Sequence, residues 1–337
     1  MPAMKHAFPA SRVLPALLLA SLAAATAQIA AQTRTAAPAK KTWTQAKTPD
    51  GQPDLQGIWT NATITPFERP ASMAGKEFLT AEEAAKLEHE NAARRQANED
   101  APRPGDVGSY NEFWFDSGTR VVGSRRTSLV IDPPDGRVPL QKSAEQARDF
   151  NLESTESFET MSPWDRCITR GPGRMFPAGY NNAYQIVQTP GYVMIAHEMI
   201  HEARLIPIDG RPHLDPSVRL WTGDPRGRWE GRTLVVETTN FNDKGWIATN
   251  AASARIRGVP HSDALRLVER FTRVDADTID YQVTVDDSKI FTRSWTVTIP
   301  LTRDDSYQIF EYACHEGNRA IENVMSSARR AEQREKK

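Results

Sequence analysis

The chain has 337 residues, with 42 Lys and Arg against 43 Asp and Glu and a formal net charge of -1. The two signs are interspersed, so the sequence offers no basic stripe of the kind that displaces counterions from a polyanion, and nucleic acid is excluded as a partner. Beyond its N-terminal segments, about 285 residues remain, long for one domain but within reach of a large all-β unit, and no internal linker marks a boundary.

Lys5 and Arg12 precede the apolar run Val13-Leu14-Pro15-Ala16-Leu17-Leu18-Leu19-Ala20, and Ala25-Thr26-Ala27 follows with the small-x-small pattern of a cleavage site. Residues 1–27 therefore read as a secretory signal peptide, which predicts a periplasmic or secreted protein. The run is too short to span a bilayer, which takes about 20 residues, and no later stretch is apolar enough, so no membrane span is expected. Residues 28–50 are rich in Ala, Thr, Lys and Pro and read as a disordered tether. Residues 51–326 form the expected β-rich domain, and 327–337 a charged tail.

Thr80-Ala81-Glu82-Glu83 is a capping-box start for a charged helix to about Gln96, and Ser143 is expected to cap a short second helix. Strand signals dominate after residue 120: 126–131, 184–189, 233–239, 265–271, 278–285 and 294–299 are β-branched, often alternating, and separated by turn clusters such as Asp132-Pro133-Pro134-Asp135-Gly136. Two apolar runs, ending at Asp135-Gly136-Arg137 and Asp209-Gly210-Arg211, rhyme as strands delivered into tight turns. Such a meander hides its edges only by closing or pairing, which predicts a mainly β fold, a closed or partly closed antiparallel barrel or a two-sheet sandwich, with a few peripheral helices. A C-terminal helix from about Asn318 to Arg334 is expected to pack Ala320, Ile321, Val324 and Met325 on the β domain and to fray at its charged end.

Cys167 and Cys314 are the two cysteines. In an oxidising compartment they allow one disulfide, worth roughly 5 kcal/mol in the chain-entropy model, against the competing reading of two buried thiols.

Several groups of residues could carry chemistry. His197-Glu198-Met199-Ile200-His201 matches HExxH; on a helix both imidazoles could reach one zinc while Glu198 activates water. On a strand their Cα atoms stand about 13 Å apart, too far to share a metal, and Val193, Ile195, His197, Met199, His201, Ala203 and Leu205 line one face while Glu198 and Arg204 face away unless a bulge re-aims them. A disulfide would carry Asp165 and Arg166 beside His315 and Glu316. Tyr180, Asn181 and Asn182 offer a phenol and amides suited to a polyol, and the stretch 239–244 is similar in kind. Walker, GxSxG and dinucleotide signatures are missing, so a cofactor-free site is expected.

The segments TPDGQPDLQGIW, RTSLVIDPPDGR, YNNAYQIVQTPGY, EMIHEARLIPIDGRPH, GRWEGRTLVVETTNFND, ERFTRVDADTIDYQVTVDD and YACHEGN together resemble a large group of exported bacterial proteins, a resemblance that implies export and brings no particular activity. Gly57-Ile58-Trp59 and Gly227-Arg228-Trp229 resemble the Gly-x-Trp that opens lipocalin-type barrels, which implies a barrel and no particular ligand. The resulting expectation is an exported enzyme using acid–base chemistry of hydrolase, lyase or isomerase type on a small polar molecule, a carbohydrate or plant-derived compound. His201 is the expected base, His315 with Glu316 a second acid–base element, Glu198 a further candidate, and Arg204 or Arg166 the anion stabiliser. Tyr180, Asn181, Asn182, Asp165, Arg166 and His197 are the expected substrate contacts. The alternatives are a lipocalin-like binding protein without turnover and an HExxH zinc peptidase.

Overall fold

Alternation of apolar and polar residues puts one face of each strand out of water, and in this chain the strands curl until those faces meet. The structure is a computed structural model describing residues 43–99, 115–172 and 174–336, with Thr44–Lys337 as the compact unit treated below. Its strands are β1 (Gly57–Thr60), β2 (Val130–Asp132), β3 (Ala183–Thr189), β4 (Tyr192–His197), β5 (Ala203–Pro207), β6 (Asp224–Glu230), β7 (Thr233–Thr239), β8 (Arg266–Arg273), β9 (Thr278–Asp286) and β10 (Trp295–Arg303). They pair in the order β5-β4-β3-β1-β10-β9-β8-β7-β6, all antiparallel, with β2 beside β10, and form a nearly closed barrel. Leu267, Glu269, Phe271 and Arg273 of β8, Ile279, Tyr281, Val283 and Val285 of β9, and Trp295, Val297, Ile299 and Leu301 of β10 are buried, so the barrel interior is packed with side chains.

Strands β5 and β6 end the path and share no ladder. Their seam is closed by side chains: a Cβ on Gly227 would lie 2.7 Å from Cγ2 of Ile208 and 2.9 Å from Cγ2 of Ile206, so a residue without a side chain lets β6 approach.

The connections sort by end. Short turns join β3 to β4, β6 to β7 and β8 to β9 at one end, while the excursions between β1 and β3, the β4–β5 turn and the β7–β8 loop lie at the other. At the short-turn end Trp59 is fully buried, with the guanidinium groups of Arg273 and Arg303 at 5.4 and 5.9 Å from its ring centroid. Arg273 also donates to the carbonyls of Asp54, Asp275 and Ala276, which seals that end.

At the long-loop end, residues 161–172 and 174–182 act as a plug. Asn61 Nδ2 donates to the carbonyl of Met175 at 2.6 Å, Thr249 Oγ1 to that of Arg170, and Phe176 packs 4.7 Å from Phe67 and 6.2 Å from Trp295, centroid to centroid. Gly171 has φ +90°, and a Cβ there would lie 2.2 Å from the Trp246 carbonyl oxygen, so glycine is required. The Cys167–Cys314 disulfide, Cα–Cα 5.6 Å, ties the plug to the segment before the last helix.

Helix α1 (Ala81–Glu99) begins at the expected capping box: Glu83 N donates to Thr80 Oγ1 and Thr80 N to Glu83 Oε2, at 3.2 and 2.8 Å. Helix α2 (Lys142–Glu153) starts one residue before Ser143, and its N-cap is Gln141 with no side-chain hydrogen bond, so Ser143 is not its cap. Helix α3 (Ala320–Glu335) runs through the expected charged tail and buries no residue; Val324 is 39% exposed, because the stripe Ile321, Met325 and Ala328 only grazes its neighbours. Of the expected strand 126–131 only Val130 and Ile131 join the sheet, in a strand that runs on to Asp132, because the backbone amides of Thr127 and Leu129 bond instead to the carbonyls of Glu77 and Pro66. Residues 44–50 belong to the compact unit, not to a tether: Thr48 closes a turn with Gly51 and Gln52. The expected signal peptide and the part of the expected tether before residue 43 lie outside the described residues. Among the described residues no helix is long and apolar enough to cross a membrane.

Candidate functional site

The β4–β5 turn decides where the polar residues go. Strand β4 ends at His197, and the chain reverses through Glu198 to Glu202 with Ile200 at φ 61°, ψ 18° and His201 at φ 40°. A β-branched residue in the left-handed region costs on the order of 1–3 kcal/mol, and such strain collects at functional sites. The HExxH match is therefore neither helix nor continuous strand. His197 turns into the barrel, whereas His201 is exposed, its Nδ1 2.8 Å from the carbonyl oxygen of Tyr312. The reversal also resets the register: Arg204 and Ile206 face inward, while Leu205 is 57% exposed, so the expected single face from Val193 to Leu205 is broken and Arg204 lies on the inner side.

Inside, under the plug, lies a buried polar cluster. Both Nη atoms of Arg204 donate to the Glu269 carboxylate, and Nη2 also donates to Thr238 Oγ1. Tyr281 donates to the same carboxylate at 3.0 Å. Burial pushes Glu269 up, but the Arg204 guanidinium outweighs it and holds the carboxyl below its usual range. From the plug, Arg174 Nη1 donates to Glu202 Oε1 at 2.6 Å, and Thr169 Oγ1 to Glu202 Oε2 at 3.0 Å. Tyr184, pushed up to about 12 by burial, accepts a bond from Asn61 and meets the His197 ring edge-on at 5.0 Å. Burial, reinforced by Arg174, Arg204 and Arg170, holds His197 well below its ordinary value, so it is neutral.

A second polar group opens to solvent. A cleft of about 460 Å³ lies between Trp221 and the stretch Asn242–Lys244, and another of about 340 Å³ is lined by Trp59, Arg95, Phe115, Asp116, Asp304 and Tyr307, among others. Behind the wall of the smaller cleft sits Glu198, almost fully buried, accepting from Tyr307 Oη at 2.8 Å and from Asn181 Nδ2 at 2.8 Å. Burial raises the Glu198 pKa despite those two bonds, and the like charge of Asp116 adds to the rise. Asp116 is itself raised by burial, although the backbone N–H and side-chain amide of Asn182 donate to its two oxygens at 2.9 and 2.8 Å. Burial, then Glu198, pushes the Tyr307 hydroxyl up, so its proton stays on the phenol. Two carboxylates with raised proton affinity and one phenol thus converge at one cleft, an arrangement suited to moving protons near neutral pH.

Of the residues singled out in the sequence, Glu198, Asn181 and Asn182 meet here, and Tyr180 packs its ring 6.4 Å from Phe115 on the cleft wall. Asn182 is fully buried and spends its amide on Asp116 and Ala178, so it positions the site and does not face a ligand. The disulfide does bring its flanks together, with Asn318 donating to the Asp165 carbonyl, yet Asp165, His315 and Glu316 are exposed. Neither His315 nor Glu316 makes a side-chain hydrogen bond or ion pair among the described residues. Arg166 lies over the rings of Phe158 and Trp221 and does not reach the cleft lined by Asp116. Among the described residues no group of three or more His, Cys, Asp or Glu is set to hold a metal ion.

Asp116, Tyr307, Arg170, Arg174, Glu202 and Glu269 escape a reading of the sequence. Glu269 does break the apolar face of a strand, a signal for a buried charge, but Tyr307 lies in a polar loop with no pattern to mark it. No family of known proteins, no curated protein and no solved structure matches the chain.

Proposed function

We propose that the chain is an exported enzyme that moves a proton on a small polar molecule bound in the cleft between Asp116 and Tyr307, a reaction of hydrolase, lyase or isomerase type. The observation that carries this reading is the buried Glu198 carboxylate, raised in proton affinity and bonded to a phenol that lines the cleft beside a second raised carboxylate. The substrate proton passes to Tyr307 Oη as the phenolic proton passes to Glu198. Asp116, its proton affinity raised by burial, is the second acid–base group and exchanges a proton with the oxygen on which charge develops. Arg95, at the cleft wall, opposes that negative charge. The apolar part of the wall, Ile58 and Phe115, suits a substrate with a ring or aryl group, as in plant-derived glycosides. Export is supported by the Lys5 to Ala27 pattern and by the closed disulfide.

The test is a panel of aryl glycosides and sugar lactones incubated with purified protein in D2O, read by NMR for turnover and for solvent deuterium entering substrate. Glu198→Gln and Tyr307→Phe should each lower kcat by about 10²–10⁴-fold. The wild-type rate should rise with pH through an apparent pKa above the ordinary glutamate value of 4.5, and Glu198→Gln should lack that limb. Wild-type rates in both folded variants would end the proposal.

A further inference from the structure

The polar cluster inside the barrel is not part of that cleft, and its hydrogen bonding does not close. Seven buried polar atoms there have no partner among the described residues: Nδ1 and Nε2 of His197, Nε and Nη1 of Arg170, Nε of Arg174, Nε of Arg204 and Oδ1 of Asn61. His197, Arg170, Arg174 and Arg204 are each at most 5% exposed. A buried N–H without an acceptor costs about 1–3 kcal/mol, so native proteins seldom gather several in one place.

The imbalance has a direction. Four of the seven atoms are guanidinium donors, and neutral His197 supplies one more donor and one acceptor, which leaves Asn61 Oδ1 as the remaining acceptor. The nearby carboxylates are already used: both Glu269 oxygens accept from Arg204, one of them also from Tyr281, and the two Glu202 oxygens take Arg174 and Thr169. Arg170 makes no ion pair among the described residues: its side chain reaches the Tyr184 hydroxyl, and the carboxylate that balances its charge, Asp116, already accepts from Asn182 at both oxygens. What completes it is an acceptor carrying negative charge, and fork-shaped guanidinium donors match an oxyanion or carboxylate. The donors come from two bodies: Arg170 and Arg174 from the plug, His197 and Arg204 from β4 and β5. A group held between them would fasten the plug to the barrel.

We infer that the long-loop end of the barrel binds a small anion, a carboxylate or an inorganic oxyanion, between His197 and Arg170, Arg174 and Arg204. Thermal unfolding of the full mature protein at constant ionic strength tests this, with chloride replaced stepwise by acetate, benzoate or phosphate. A saturating rise in Tm with one of these anions, lost in His197→Phe, is the expected result. A response to phosphate alone assigns a free inorganic anion, and one to acetate or benzoate assigns the carboxylate of an organic ligand. Should His197→Phe fold poorly, Arg170→Met in the same titration removes two of the unpartnered donors while leaving both ion pairs intact. Identical Tm values in all anions, or a rise that survives in both variants, would overturn the inference. So would a bromide-soaked crystal whose anomalous scattering leaves the His197 cluster empty while phosphate and carboxylate titrations are flat.

Discussion

The two ends of this barrel solve the same problem with opposite chemistry. At the short-turn end the interior is closed by Trp59 between two arginines that reach solvent or backbone carbonyls, so no charge is left facing an apolar wall. At the long-loop end a plug brings Arg170 and Arg174 onto His197, Arg204 and Glu269, with charges paired far from water. A cap that only had to exclude water could be built like the first end. The second bears a higher desolvation cost, and that cost is what makes it a candidate for recognition.

The contrast is broken most severely at Arg204. Arg204→Met should cost about 3–5 kcal/mol in urea unfolding, because it strands Glu269 in the interior, and adding Glu269→Gln should recover part of the loss. A single-mutant loss under about 1 kcal/mol would mean that the interior charges are solvated after all.

The next effect is pH dependence. His197 is held neutral in the fold while its unfolded value is near 6.5. Below that pH the unfolded chain takes up a proton that the native chain refuses, so stability is full above 6.5 and falls as the pH drops. The slope is at most about 1.4 kcal/mol per pH unit for this group. Replacing His197 by Gln should flatten the profile by that contribution; an unchanged profile would place the sensitivity elsewhere, with His261 the other depressed histidine.

The smallest effect belongs to the short-turn end. Arg303→Gln should cost about 0.5–1 kcal/mol, the scale of a cation–π contact near the surface. A loss matching that of Arg204→Met would erase the distinction between the two ends.

Most of the barrel was legible because β8 to β10 alternate with period two and are bounded by turn residues, so local pattern and final burial coincide. The disulfide was legible from two cysteines and the expected export signal. The β4–β5 turn was not, since both the helical and the extended readings of 197–201 satisfy local rules, and the left-handed pair Ile200–His201 follows from what surrounds it. Of the candidate cleft, Glu198 and Asn181 are singled out in the sequence, although the expected emphasis falls on histidines. Its missing half, Tyr307 and Asp116, comes from segments far from Glu198 in the chain, where no spacing argument reaches. Arg204 shows the same limit: a shift of one residue through a turn exchanges the two faces of a strand.

The Cys167–Cys314 bond has a topological consequence as well as an anchoring one. It closes a covalent ring with a sequence separation of 147 residues, and the eight strands β3 to β10 all lie within that ring. A single protease cut anywhere inside it opens the loop but releases no fragment, so a nicked molecule keeps all its strands on one covalent body. The chain is thereby built to survive its first cut.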